Sequence, residues 1–76
     1  MPGEPQFEMI PVSSSQIAEV GYNSDLRKLR IRFANLSLYE YDGVDLPVFE
    51  GLVNAPSVGS YFHSTIKNIY PYERIE

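Results

Sequence analysis

The 76-residue sequence contains no cysteine, no tryptophan and a single histidine, His63. Without cysteine there can be no disulfide framework, thiolate metal cluster or cysteine nucleophile, and the absence suits a reducing compartment. His63 has no second histidine or cysteine to complete a transition-metal site, so it is read as a structural residue. No apolar run approaches the roughly 18 residues of a membrane span. The N-terminal MPGEPQFEM has a glutamate where a signal peptide would carry basic charge. These absences predict a soluble cytoplasmic protein without membrane association. An EF-hand spacing, a glycine-rich phosphate loop and a nucleophile elbow are also missing. The run Ser13-Ser14-Ser15 has no base placed to activate it and reads as turn chemistry. Asp42 and Asp45, three apart across Gly43, read as turn and helix-cap residues rather than cation ligands. No catalytic residue, cofactor or metal is expected. Basic charge is scarce too: six Lys and Arg face ten Asp and Glu, net −4, which disfavours a strongly electrostatic grip on nucleic acid.

What is present describes one globular domain. Apolar residues make up 43% of the chain and charged residues 21%, ordinary values for a folded protein. A loose tail is expected over residues 1–8, with the domain running from 9 to 76. A brief apolar stretch within Phe7–Val12 reads as a strand that Pro11 confines to an edge. Ile17–Tyr22 and Lys28–Phe33 read as two strands joined by the turn-forming Asn23-Ser24-Asp25-Leu26. In the second of them Leu29, Ile31 and Phe33 alternate with Lys28, Arg30 and Arg32, which assigns one face to the core and one to water.

A third strand, Leu38–Asp42, is registered by matching faces. With Asn35-Leu36-Ser37 as the loop, Phe33 opposes Tyr39 and Ile31 opposes Tyr41, while Arg32 opposes Glu40 and Arg30 opposes Asp42. The same rule across the first hairpin sets Leu29 against Val20, Ile31 against Ala18 and Arg30 against Glu19. Tyr39 and Tyr41 then line the core instead of forming an exposed stacking platform.

Asp45 is placed to cap a helix carrying Pro47 in its first turn and Val48, Phe49, Leu52 and Val53 on one face. Ser57 reads as the cap of a second helix, with Phe62, Ile66 and Ile69 on one face and Ser60, Ser64 and Lys67 on the other, ending before Pro71. Gly59 near its start suggests a close approach or exposed amides for an anion. Tyr70–Ile75 reads as extended, able to join the sheet edge. The expected fold is α+β: an antiparallel three-stranded meander, extendable by terminal strands, against two C-terminal helices.

The segments in this order resemble the KTSC family, small domains found at the C-terminus of some lysyl-tRNA synthetases and as free-standing bacterial and phage proteins. The resemblance runs from about Met9 to Ile75. It is carried by Ser14-Ser15, Ile17, Val20-Gly21-Tyr22, Tyr39-Glu40-Tyr41, Gly43-Val44, the stretch Ala55 to Phe62, and Ile66 to Tyr70. Two positions depart from the family pattern: a proline that often follows the valine comes later, as Pro47, and Lys67 stands where arginine is frequent. The resemblance implies a non-catalytic accessory module of unestablished role, for which RNA binding is the suggested function. On that reading Arg30, Arg32, Ser57, Gly59, Ser60 and Lys67 would contact RNA or another anion, weakly given the charge balance. The alternative is a protein-interaction or self-associating module, a homodimer included, using Tyr61, Tyr70 and Tyr72 as exposed aromatics. What separates the two is whether the basic residues gather unshielded on one surface or are paired with acids.

Overall fold

The computed structural model describes residues 7–76, so all but the last two residues of the loose tail expected over residues 1–8 lie outside the described residues. Five strands form one antiparallel sheet in sequential order: β1 (Ile10–Pro11), β2 (Ile17–Asn23), β3 (Lys28–Phe33), β4 (Leu38–Asp42) and β5 (Tyr72–Arg74). Between β4 and β5 lie helix α1 (Leu46–Asn54), helix α2 (Val58–Tyr61) and a π-helical segment, Phe62–Ile66. The class is the α+β arrangement the sequence predicts. Both termini contribute strands, which turns the three-stranded meander into five.

The alternation in β3 sorts the sheet as expected. Leu29 and Ile31 are fully buried on the face covered by helices, together with Ile17, Val20, Tyr41, Val44, Leu52, Phe62 and Ile66. Lys28, Arg30 and Arg32 share the other face with Glu19 and Glu40, in accord with the period of two. The helix-covered face is built around aromatics: Tyr22 stacks on Phe49 at 5.1 Å, and Phe62 meets Phe33 and Tyr41 edge-on at 5.5 and 5.6 Å.

Both hairpin registers differ from expectation by two residues while keeping the faces. Leu29 opposes Tyr41 and Ile31 opposes Tyr39, so Arg30 faces Glu40. Across the first hairpin Val20 opposes Ile31, Tyr22 opposes Leu29 and Glu19 opposes Arg32. The cause lies in the turns. Arg27 and Leu36 take left-handed backbone, φ 55° and 74°, which closes each hairpin one residue away from the expected loop. A bulge between Ile17 and Glu19 then lets Ile17 and Val20 both point inward although they are three apart.

The second helix also departs from its predicted course. It widens into π geometry, with the Lys67 amide donating to the Phe62 carbonyl at 2.9 Å. It stops at Ile66, because Lys67 is extended and Asn68 has φ 69°. The helical spacing that placed Ile69 on the apolar face therefore ends early, and Ile69 is 60% exposed. Asp45 stands at the N-cap of α1 but its side chain makes no capping hydrogen bond; it is drawn to Arg27 instead, at 2.6 Å. Ser57 does cap α2, accepting from the Ser60 amide at 3.3 Å.

Candidate functional site

The charged face of the sheet carries Arg30 and Arg32, two of the contact residues the sequence singles out. Glu40 is nearly buried there, and it accepts from Arg30 Nε at 2.9 Å with Lys28 Nζ 3.3 Å away. Burial pushes the Glu40 carboxyl up, but hydrogen bonds from Arg30 and Lys28 and their positive charge outweigh it and hold it below its ordinary value. Arg30 additionally lies over the Phe7 ring, its guanidinium carbon 4.1 Å from the centroid. Arg32 pairs with Glu19 at 3.5 Å and Glu76 at 2.9 Å. With Arg27 held by Asp45, four of the six Lys and Arg residues are engaged by carboxylates. The basic strand is thus a ladder of ion pairs, each of its cations facing at least one carboxylate. Residues 7–9 cross this face: a side chain on Gly21 would meet the Met9 sulfur at 2.5 Å and the Glu8 carbonyl oxygen at 3.2 Å, so anything larger than glycine there would have to displace the Met9 side chain and shift the Glu8 backbone.

Ser57, Gly59 and Ser60 do not join that strand. They line a shallow, hydroxyl-rich hollow of about 400 Å³ with Ser13, Ser14 and Gln16. Gly59 makes only ordinary contacts, 3.6 Å from its Cβ position to Ser14 Oγ, so close packing does not account for the glycine. Among the described residues no group of three or more His, Asp or Glu is gathered in metal-binding geometry. No helix of the described residues is long and apolar enough to cross a membrane.

The predicted interaction aromatics divide. Tyr61 and Tyr70 are half-buried against the core, a correction to their reading as exposed residues. The reason for Tyr61 is Gly51, whose missing side chain leaves room for the tyrosine ring. Tyr72 alone stays open, 63% exposed. Its ring leans on Tyr39 and Tyr41 at 5.5 and 5.7 Å, because β4–β5 pairing sets Tyr41 opposite Tyr72.

Tyr72 stands at the edge of an open cleft of about 540 Å³. Its aromatic wall is Phe33, Tyr39, Tyr41, Phe62 and Tyr72; its polar rim is Gln16, Asn35, Ser37, His63, Lys67 and Asn68. Tyr41 closes the floor, 4% exposed, and burial, with the neighbouring Tyr72 and Tyr39 adding, pushes its hydroxyl up to about 12. His63 Nε2 and Gln16 Oε1 are 3.1 Å apart at the junction with the serine hollow. The early helix stop puts Lys67 and Asn68 on the rim. Of the residues singled out by sequence, Tyr39, Tyr41, Lys67 and Tyr72 meet here, while Arg30 and Arg32 remain on the opposite face. Sequence reasoning missed Gln16, Phe33, Asn35 and Asn68 as cleft residues. Only Asn68 carried a signal, since asparagine tolerates left-handed backbone.

Fold and cleft together define a small α+β domain with an aromatic-walled, polar-rimmed concavity at one end of its helix-covered face. The sequence model of the KTSC domain family matches residues 13–70, and the chain belongs to that family. A lysine–tRNA ligase of Trichormus variabilis is 42% identical over 69 residues, covering 91% of this chain but 12% of the ligase. The chain thus spans about one-eighth of the ligases it matches. A protein of Stutzerimonas stutzeri is 31% identical over 71 residues, 92% of this chain and all of the relative. The crystal structure of a KTSC domain protein from Yersinia pestis superposes with TM-score 0.90 at 34% identity, covering 93% of this chain and all of that one.

Proposed function

We propose that this domain is a non-catalytic accessory module that makes weak contact with RNA in the cytoplasm, through the aromatic cleft and not through the basic strand. The supporting observation is a local inversion of charge. In a chain of net −4, the cleft has no described acidic residue on its wall or rim, yet it carries Lys67. Lys67 has no carboxylate partner among the described residues. Aromatic walls with a cationic rim suit bases and phosphates together. The similarity to a segment of lysine–tRNA ligases, enzymes that act on RNA, agrees with this reading. The test is a chemical-shift titration with structured RNA at about 20 mM salt, where screening is weakest. Absence of any shift removes RNA binding as the function of the isolated domain.

A second reading, self-association, has its own observation. β5 leaves one strand edge unpaired in the sheet order, and Tyr72 and Ile75 beside it are 63% and 39% exposed. Such an edge is a template for a second copy. Sedimentation of a purely monomeric species at high micromolar concentration removes it.

A further inference from the structure

Resting on the RNA reading, we propose that the cleft is a single-nucleotide site: it takes one unpaired base of an RNA strand against the exposed Tyr72 ring, with the adjoining phosphate at Lys67. Three features of the cleft argue for this occupant.

The first is size. A concavity of about 540 Å³ falls in the range of small-molecule sites, roughly 300–1,000 Å³, and is open on one side. It suits one nucleotide entering from a strand, and a base-paired helix cannot present an isolated base face to it. The second is the arrangement of rings. Phe33 and Tyr39 meet edge-on at 89°, and Phe62 closes edge-on against Tyr41 at 79°, so those rings are engaged with one another in the wall and are at most partly exposed. Tyr72 is different: it is tilted 40° to Tyr39 and 38° to Tyr41 and remains 63% exposed, leaving a ring surface on which a base can stack.

The third feature is chemistry at the rim. Asn35, Asn68 and Gln16 bring side-chain amides, which both donate and accept and so match the mixed edges of a nucleobase. Asn35 Oδ1 already accepts from the Ser37 amide and hydroxyl at 3.0 and 2.6 Å, which orients its NH₂ group as the free donor. Lys67 supplies the positive charge for a phosphate, in a rim where no described carboxylate competes. A purely apolar partner would leave these amides and the ammonium unsatisfied, and an acidic peptide would leave the exposed ring unused. A nucleotide uses all of them.

The experiment is a set of amide chemical-shift titrations of the 76-residue protein with adenosine monophosphate, single-stranded oligoadenylate, a blunt RNA duplex and a structured RNA containing loops. Oligoadenylate should shift Tyr39, Lys67, Asn68 and Tyr72, and bind more tightly than the mononucleotide. The duplex should leave these residues unmoved. Tyr72→Ala should weaken oligoadenylate binding about tenfold or more, as loss of one stacking partner does. Because Tyr72 is largely exposed, that variant should keep its dispersed spectrum. Shifts confined to β3, or duplex binding in the cleft, overturn the single-nucleotide site while the RNA reading stands. Mononucleotide binding as tight as oligoadenylate keeps the site but makes a free nucleotide its ligand, removing the RNA reading. No shift with any of the four overturns both.

Discussion

Replacing Gly51 by alanine tests the packing that takes Tyr61 out of the set of exposed aromatics. In the interior of an exposed helix, glycine to alanine stabilises by roughly 0.5–1 kcal/mol, because the helix no longer has to order the most flexible residue. Gly51 sits inside α1, but a Cβ there would collide with the Tyr61 hydroxyl and lie 2.8 Å from its Cζ. Overpacking of this kind costs about 1–3 kcal/mol. The two effects oppose each other, and the net result is a destabilisation of between about 0 and 2.5 kcal/mol. In a Tyr61→Ala background the collision is gone, and Gly51→Ala should then stabilise by about 0.5–1 kcal/mol. Urea unfolding of the four proteins in the cycle, followed by circular dichroism, gives the coupling as the difference between the two Gly51→Ala effects. The expected coupling is about 1–3 kcal/mol; a value under about 0.5 kcal/mol, within the scatter of independent sites, would refute the claim that Tyr61 occupies the space Gly51 leaves.

Tyr41→Ala should cost about 3–5 kcal/mol and leave the domain largely unfolded, as loss of a buried aromatic does; a stable fold by near-ultraviolet dichroism contradicts its place in the core. Tyr41 has a folded pKa raised to about 12 from the usual 10, so its contribution is present below pH 10 and lost as pH rises toward 12. Tyr41→Phe should therefore remove part of the alkaline loss of stability, and an unchanged alkaline limb argues against it. Glu40 has the opposite sign: its folded pKa lies below 4.5, so its stabilisation holds above that value and fades as pH falls through the folded pKa. Glu40→Gln should flatten the acid limb of the stability curve below about pH 4.5 relative to wild type. For RNA, the sequence alone suggests three or four available bases and a salt slope on the order of −2 to −3. With the β3 cations paired and Lys67 alone on the cleft, the slope should instead be about −0.7, one phosphate of a single strand; a slope steeper than about −2 would mean the ion pairs open to bind RNA.

Much of the sheet was legible because it rests on local alternation: Leu29, Ile31 and Phe33 against Lys28, Arg30 and Arg32 decide the faces whatever the register. Register was not, because it turns on which loop residues take left-handed backbone, and Arg27 and Leu36 are not types that advertise it. The bulge at Ala18 was hidden for a related reason: Ile17 and Val20, both buried, break the period of two. Apolar spacing continued to Ile69, yet the helix turned into a π segment and ended three residues earlier, at Ile66. The cleft was the least legible feature. Gln16, Phe33, Asn35, Tyr41, Lys67 and Tyr72 come from separate parts of the chain and meet only once β5 has joined β4, a non-local pairing that no short motif encodes.

The most direct test of the account compares the two faces of the sheet. Fluorescence anisotropy of a labelled single-stranded RNA would be followed with wild type, Lys67→Glu, and the double variant Arg30→Gln with Arg32→Gln, each checked for a folded spectrum. The account predicts that Lys67→Glu abolishes binding while the double variant binds within about twofold of wild type, since those arginines are held by Glu40, Glu19 and Glu76. Loss of binding in the double variant with Lys67→Glu unaffected would contradict it, and would return the contact to the basic strand.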